Sequence, residues 1–213
     1  MAAPAVPEAA LRHGNARPMP AVIMGTAESP PTGPERTRSA MLAAVEVGFR
    51  HFDTAALYGS EAPLGEAIAE AARRGLVASR EEVFATSKLW CTQCHRDLVL
   101  PSLRESLRLK PGPVVFPLNK EGVVQFDFEG VWRAMEECHR LGLTKVISVS
   151  NFTTKHLDKL LAVTIILPAV NQNWGGHGNA MVESPVLAEI AEARGKTIAQ
   201  VVRADAVLPR FLP

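Results

Sequence analysis

Short apolar runs alternate along this chain with longer stretches in which apolar residues recur at helical spacing. That alternation predicts an α/β protein, a parallel sheet assembled from strand-helix units rather than a sandwich. Ala21–Thr26 reads as a first strand, behind a Pro- and Gly-marked segment, Leu11–Pro20, that can close as a hairpin within residues 1–20. Glu35–Val47 then sets Met41 and Val45 on one helical face, and Gly48 stops it. Phe49–Ala55 is the second strand, alanine-rich Ala62–Arg74 the next helix before Gly75, and Glu82–Lys88 the third strand. Asp97–Leu109 follows as a helix with Leu100, Leu103 and Leu107 on one face. Here the rhythm breaks, because Lys110–Pro117 is punctuated by prolines and reads as a loop where a strand is due. Phe128–Leu141 is a helix closed by Gly142, Thr144–Asn151 a strand, Thr154–Leu161 a helix and Pro168–Gln172 a short strand. A glycine-rich loop over Asn173–Asn179, a helix over Pro185–Arg194 and a tail, Val201–Pro213, without a convincing element complete the chain.

Composition narrows the class without naming an activity. At 213 residues and 47% hydrophobic the chain can bury a real core, and it reads as one domain over residues 1–213. A formal net charge of +1, from 23 basic against 22 acidic side chains, provides no field for nucleic acid or an anionic membrane. No apolar run approaches the roughly 20 residues of a membrane span, and the first eight residues lack the basic flank and apolar core of a secretory leader. The expected compartment is the cytosol. Three cysteines cannot all pair, which fits a reducing environment. Cys91-Thr-Gln-Cys94-His95 matches a CxxC pair and a haem-attachment pattern, yet five residues match cheaply; a loop with two free thiols is the favoured reading. No second cysteine pair offers the further ligands of a zinc site.

The candidate chemistry lies at the strand ends. The chain has one tyrosine, Tyr58, five residues after Asp53, and Lys88 closes the third apolar run. A phenol with an ordinary pKa near about 10 protonates an alkoxide only where a cation lowers that value, and an Asp–Lys pair is a physical way to do so. Acid, phenol and amine at neighbouring strand ends therefore point to carbonyl chemistry. Other conspicuous residues read as structural: Trp132 and Met135 as core packing, Cys138 and His139 as a helix face, His156 as solvated, and the Gly175, Gly176 and Gly178 cluster as a flexible loop without phosphate-binding form.

With Gly25-Thr26, the run Gly48–Glu61 around Asp53 and Tyr58, Lys88, Ser150-Asn151 and Gln172 in order, the sequence resembles the aldo-keto reductase family. Ser87–Cys91 and Gly130–Cys138 are most similar to its plant branch, which includes deoxymugineic acid synthases and chalcone reductase-like NAD(P)H-dependent oxidoreductases. The resemblance runs from about Pro7 to about Val202, with breaks. It implies a (β/α)₈ barrel, monomeric, that reduces a small aldehyde or ketone with NADPH. It also implies that Tyr58 is the general acid, Lys88 the cation beside it and Asp53 the partner of Lys88. Ser150, Asn151 and Gln172 would grip the nicotinamide carboxamide, with Gly25, Thr26 and Asp53 beside the cofactor. Trp90 would line the substrate mouth, and Pro111–Val124 would match a substrate-side loop.

The departures from the family pattern are specific. The family's strand ending in a His-Trp-Pro-like tripeptide has no counterpart after Lys110, so the histidine that orients the carbonyl is missing from its place; His13, His51, His95, His139, His156 and His177 all stand elsewhere. The family's segment after Gln172 and its final basic cluster for the 2′-phosphate also lack counterparts, since Arg203 and Arg210 sit in an unrelated tail. Five strands against eight make the expected fold an incomplete (β/α)₈ barrel, internally deleted and C-terminally altered, short by about two or three strand-helix units. Two expectations follow: a carbonyl reductase by descent with impaired chemistry, or a non-catalytic remnant that self-associates through open sheet edges.

Overall fold

The computed structural model describes residues 7–11, 17–28, 30–108, 126–172, 185–193 and 195. The proline loop Lys110–Pro117, the substrate-side loop Pro111–Val124, the loop Asn173–Asn179, the tail with Arg203 and Arg210, and His13 and His177 lie outside the described residues, as does the middle of the Leu11–Pro20 segment. The chain divides into two units, one of residues 1–9 and 18–138 and one of residues 10–17 and 139–213.

In the first unit, β1 (Glu8–Ala9) pairs antiparallel with β2 (Met19–Pro20). β3 (Met24–Gly25) leads through Gly33 and Pro34 into α1 (Pro34–Glu46), where proline sits in the first turn and needs no N–H partner. Gly48 ends α1 at φ 102°, its N–H reaching Val45 O and that of Phe49 reaching Ala44 O, the paired bonds of a Schellman cap. The chain then enters β4 (His51–Asp53), turns through a 3₁₀ turn over Ala56–Tyr58, and forms α2 (Glu61–Arg73). Gly75 closes α2 with the same pair of bonds, from Gly75 to Ala72 and from Leu76 to Ala71. After a 3₁₀ turn at Arg80–Glu82 comes β5 (Phe84–Thr86), then a further turn, Cys91–Gln93, and α3 (Arg96–Leu107). α4 (Phe128–Arg140) follows, capped by Asp127, whose Oδ1 accepts the Gly130 N–H at 3.0 Å.

Strands β3, β4 and β5 form one parallel sheet in that order. The register sets Gly25 beside Asp53 and Asp53 beside Thr86, so three strand ends are level. α1 and α2 cover one face. Met41, Leu42, Ala44 and Val45 of α1 and Leu64, Ala67, Ile68 and Ala71 of α2 close over Phe52, which has no exposed surface, with Val77 and Val83 completing the cluster. Ala44, Ala67 and Ala71 let the two helices approach, and the larger side chains of the cluster fill the space around them.

In the second unit β6 (Val149–Ser150) pairs parallel with β7 (Asn171–Gln172). The expected strand over Thr144–Asn151 is correct in place and shorter in ladder: its bonds run from Ala169 N to Ile147 O, from Val149 N to Val170 O and from Asn151 N to Gln172 O. α5 (Thr154–Leu161) opens on a reciprocal cap in which Thr153 Oγ1 accepts the His156 N–H and His156 Nδ1 accepts that of Thr153. His156 is thus exposed, as expected, and also structural. α6 spans Pro185–Ala193. The described strands form sheets of three, two and two members, without a closed barrel among the described residues. The other expected elements agree with the observed ones to within a few residues; the short strands differ most, because the expected runs include flanking residues, such as residues 21–23 and Pro168, that lie outside the paired ladders.

Candidate active site

Parallel pairing alone gathers the first group of side chains. β4 ends at Asp53 between its two neighbours, and the chain past each strand supplies the rest: Thr26 from β3, Thr54 and Tyr58 from β4, Ser87, Lys88 and Trp90 from β5. Lys88 Nζ donates to Asp53 Oδ1 and, at 3.2 Å, to the Thr54 carbonyl. The same ammonium stands 4.9 Å from the centroid of the Tyr58 ring. At that separation a cation interacts favourably with the ring face, and more strongly where water is partly excluded. Here the Lys88 and Asp53 side chains retain 24% and 13% of their exposure, so the pair is neither fully screened nor fully desolvated. The sequence-expected Asp53, Tyr58 and Lys88 are therefore brought together.

The strand ends are tied by a layer of hydroxyls. Thr26 donates through both its N–H (3.1 Å) and Oγ1 (2.8 Å) to the Asp53 carbonyl, and its Oγ1 lies 2.6 Å from Ser60 Oγ. Thr54 donates likewise to Thr86 O from its N–H (2.8 Å) and Oγ1 (3.0 Å). Beneath Asp53, buried His51 bridges Pro20 O and Thr86 Oγ1, each at 2.9 Å. A carbonyl only accepts, so Nδ1 carries the proton and Nε2 accepts from the threonine in the neutral ring. Burial lowers the pKa of His51, against smaller opposing effects of the Pro20 carbonyl and Asp53. His51, Ser60, Glu61, Thr54, Ser87 and Thr86 escaped the sequence reading as parts of this layer. Their signal was adjacency, since they flank the three expected residues on the same strand ends.

Gly25 closes its strand with nothing among the described residues within 4 Å of where a side chain would begin. Trp90 stands two residues beyond Lys88, half-buried, and its carbonyl accepts from Gln93 N and Cys94 Sγ. Cys91 and Cys94 are free thiols, and burial raises Cys94, with Cys91 adding to it. Among the described residues no group of three potential ligands could hold a metal. The remaining expected residues meet in the second unit. Ser150 Oγ donates to Gln172 O at 2.8 Å, and Asn151 Nδ2 donates to Ser150 Oγ at 3.1 Å. Asn151 has φ 59°, a left-handed conformation that asparagine tolerates better than most residues.

The four described histidines have other partners: His51 as above, His95 capping α3 through the Asp97 N–H, His139 on Thr144 O and His156 capping α5. Trp132 and Cys138 are buried in α4, as a helix face predicts, and Met135 is half-buried.

A parallel α/β protein with an ion-paired lysine over a phenol at its strand ends is an oxidoreductase candidate, and the comparisons are consistent with that class. The Aldo/keto reductase family model matches residues 21–202. The chain belongs to the aldo/keto reductase family. It is 44% identical over 234 positions to deoxymugineic acid synthase 1-D of Triticum aestivum, covering 86% of this chain and 74% of that protein. It is equally identical over 234 positions to NADPH-dependent codeinone reductase 1-4 of Papaver somniferum, covering 72% of it. Among solved structures, an aldo-keto reductase of Bombyx mori in complex with NADP matches with a TM-score of 0.68 at 28% identity, over 92% of this chain and 79% of that one. A second silkworm aldo-keto reductase matches at 0.70 and 27%, over 93% and 75%. The 234 matched positions exceed the 213 residues of the chain, so the plant relatives hold residues inside the matched span that have no counterpart here.

Proposed function

We propose that this chain is an NADPH-dependent carbonyl reductase by descent, acting on a small aldehyde or ketone in the cytosol, with Tyr58 as the general acid. One observation carries the reading: the ammonium of Lys88, held by Asp53 and the Thr54 carbonyl, stands over the only tyrosine of the chain. A cation there stabilises the phenolate that remains once Tyr58 Oη gives up its proton, and Asp53 keeps the cation in place. Ser150, Asn151 and Gln172 would hold the nicotinamide carboxamide. Their hydroxyl and amide groups at the ends of two parallel strands have the donor and acceptor character such a group needs, and parallel α/β sheets bind ligands at that end of the strands. Gly25, Thr26 and Asp53, level at the strand ends of the first unit, would contribute to cofactor binding. The bound cofactor supplies the hydride; the chain supplies the proton, its orientation and a partly dry setting. Trp90 would face the substrate.

The test is NADPH oxidation with a reactive aldehyde, comparing the intact chain with Tyr58→Phe and Lys88→Met. Both variants should lose at least about a hundredfold in kcat, the scale of general acid catalysis. Equal rates for intact chain and Tyr58→Phe would remove Tyr58 from the role. The absolute rate should be low, because no imidazole among the described residues is left to orient a carbonyl beside Tyr58.

That same shortage, and the positions without counterpart in the matched span, favour a second reading: a non-catalytic remnant that self-associates along β3 and β5, the outer strands of the three-stranded sheet among the described residues.

A further inference from the structure

We infer that Glu61 is a positioning residue for the Lys88–Tyr58 pair, acting through Ser87; the inference rests on the reading of those two residues given above. Glu61 is the first residue of α2, three places after Tyr58, and only 5% of it is exposed. Its Oε1 accepts the Ser87 hydroxyl, and Ser87 immediately precedes Lys88. The residue before it, Ser60, is buried with its hydroxyl against Thr26, which in turn donates to the Asp53 carbonyl. The dipeptide that follows the Tyr58 turn therefore grips both flanking strands, the β3 end through Thr26 and the β5 end through Ser87.

The grip matters because Lys88 lies beyond the sheet. The β5 ladder stops at Thr86, whose carbonyl is taken by Thr54, so neither Ser87 nor Lys88 is set by strand pairing. Ser87 is exposed, and its bond to Glu61 fixes this short extension relative to the Tyr58 turn. A carboxylate has no proton to donate, so the serine must donate to it, which sets the direction of the bond as well as its length. Burying a carboxylate is otherwise unfavourable, and here its Oε2 has no partner among the described residues. Its place in the first turn of α2, where helix amides favour negative charge, offsets part of that cost. A residue kept only to fill space would do better apolar.

Tyr58 makes the test direct, since a chain with one tyrosine labelled on its ring gives one set of ring resonances. Lys88→Met defines where those resonances lie without the ammonium. Ser87→Ala and Glu61→Leu should both move them toward the Lys88→Met position at neutral pH, and Glu61→Gln, which keeps an acceptor, should leave them near the intact chain's. In NADPH turnover, Ser87→Ala should lower kcat by up to about a hundredfold with KM little changed, the penalty of misplacing a catalytic group. Resonances unmoved in a folded Ser87→Ala chain would overturn the inference. That exposed serine keeps the test valid even where Glu61→Leu fails to fold. Ring shifts as expected in a chain whose Tyr58→Phe variant turns over normally would support the positioning and overturn the catalytic reading instead.

Discussion

His51 shows how one residue couples the site to the stability of the chain. Burial holds its ring neutral, with a pKa below the ordinary value of 6.5, while the unfolded chain takes up a proton near that value. The unfolded state therefore binds more protons as pH falls through about 6.5 and stability declines, until the folded ring titrates as well. The thermal midpoint of the intact chain should fall between about pH 7.5 and 5.5. In His51→Gln that slope should be shallower, at a lower midpoint throughout, because the bridge between Pro20 O and Thr86 Oγ1 is weakened. Equal slopes in the two proteins would show that His51 is not the titrating group. Asn151 separates fold from chemistry in the same way. Its left-handed backbone admits glycine freely, so Asn151→Gly should unfold within a few tenths of a kcal/mol of the intact chain, and Asn151→Ala should be about 1 kcal/mol less stable. Only loss of the amide should weaken NADPH binding, so a fluorescence titration of the cofactor should read the two variants as equally impaired.

At the scale of elements, caps decide where helices begin and end, and α4 carries a testable conflict. Glycine inside a helix is about 1 kcal/mol worse than alanine, yet a methyl at Gly130 would run into the Asp127 carboxylate that caps the helix. Losing such a cap costs typically about 1 kcal/mol. The two effects should cancel: Gly130→Ala alone should leave the urea midpoint nearly unchanged, Asp127→Ala should lower it, and the double variant should recover the difference. A full gain from Gly130→Ala alone would show that the cap contributes nothing. The glycines at 48 and 75 are a different case. Each sits just past a helix at positive φ, and the Schellman bonds they permit turn the chain from α1 and α2 toward the following strands.

At the scale of the whole molecule, β3 and β5 are the outer strands of their sheet among the described residues, each paired only with β4. Gel filtration at micromolar concentration decides between the two readings: a compact monomer removes edge pairing, and discrete oligomers that dissociate when lysines are placed along β3 or β5 establish it. Much was legible beforehand. The helices, their glycine stops and the alternation that defines the α/β class follow from periodicity and turn chemistry, which act over a few residues. Asp53, Tyr58 and Lys88 stood out as residue types whose chemistry is complementary. The information carried within single segments is thus local: which of them coil, which extend, and which side chains carry reactive groups. It took the assembled fold to set Gly25, Asp53 and Thr86 level, to bring Lys88 over the Tyr58 ring and to make Glu61 and Ser87 meet. Register and long-range contacts arise from strands pairing across 28 positions, as Gly25 with Asp53, and 33 positions, as Asp53 with Thr86, a choice made by the buried core as a whole and written in no single segment.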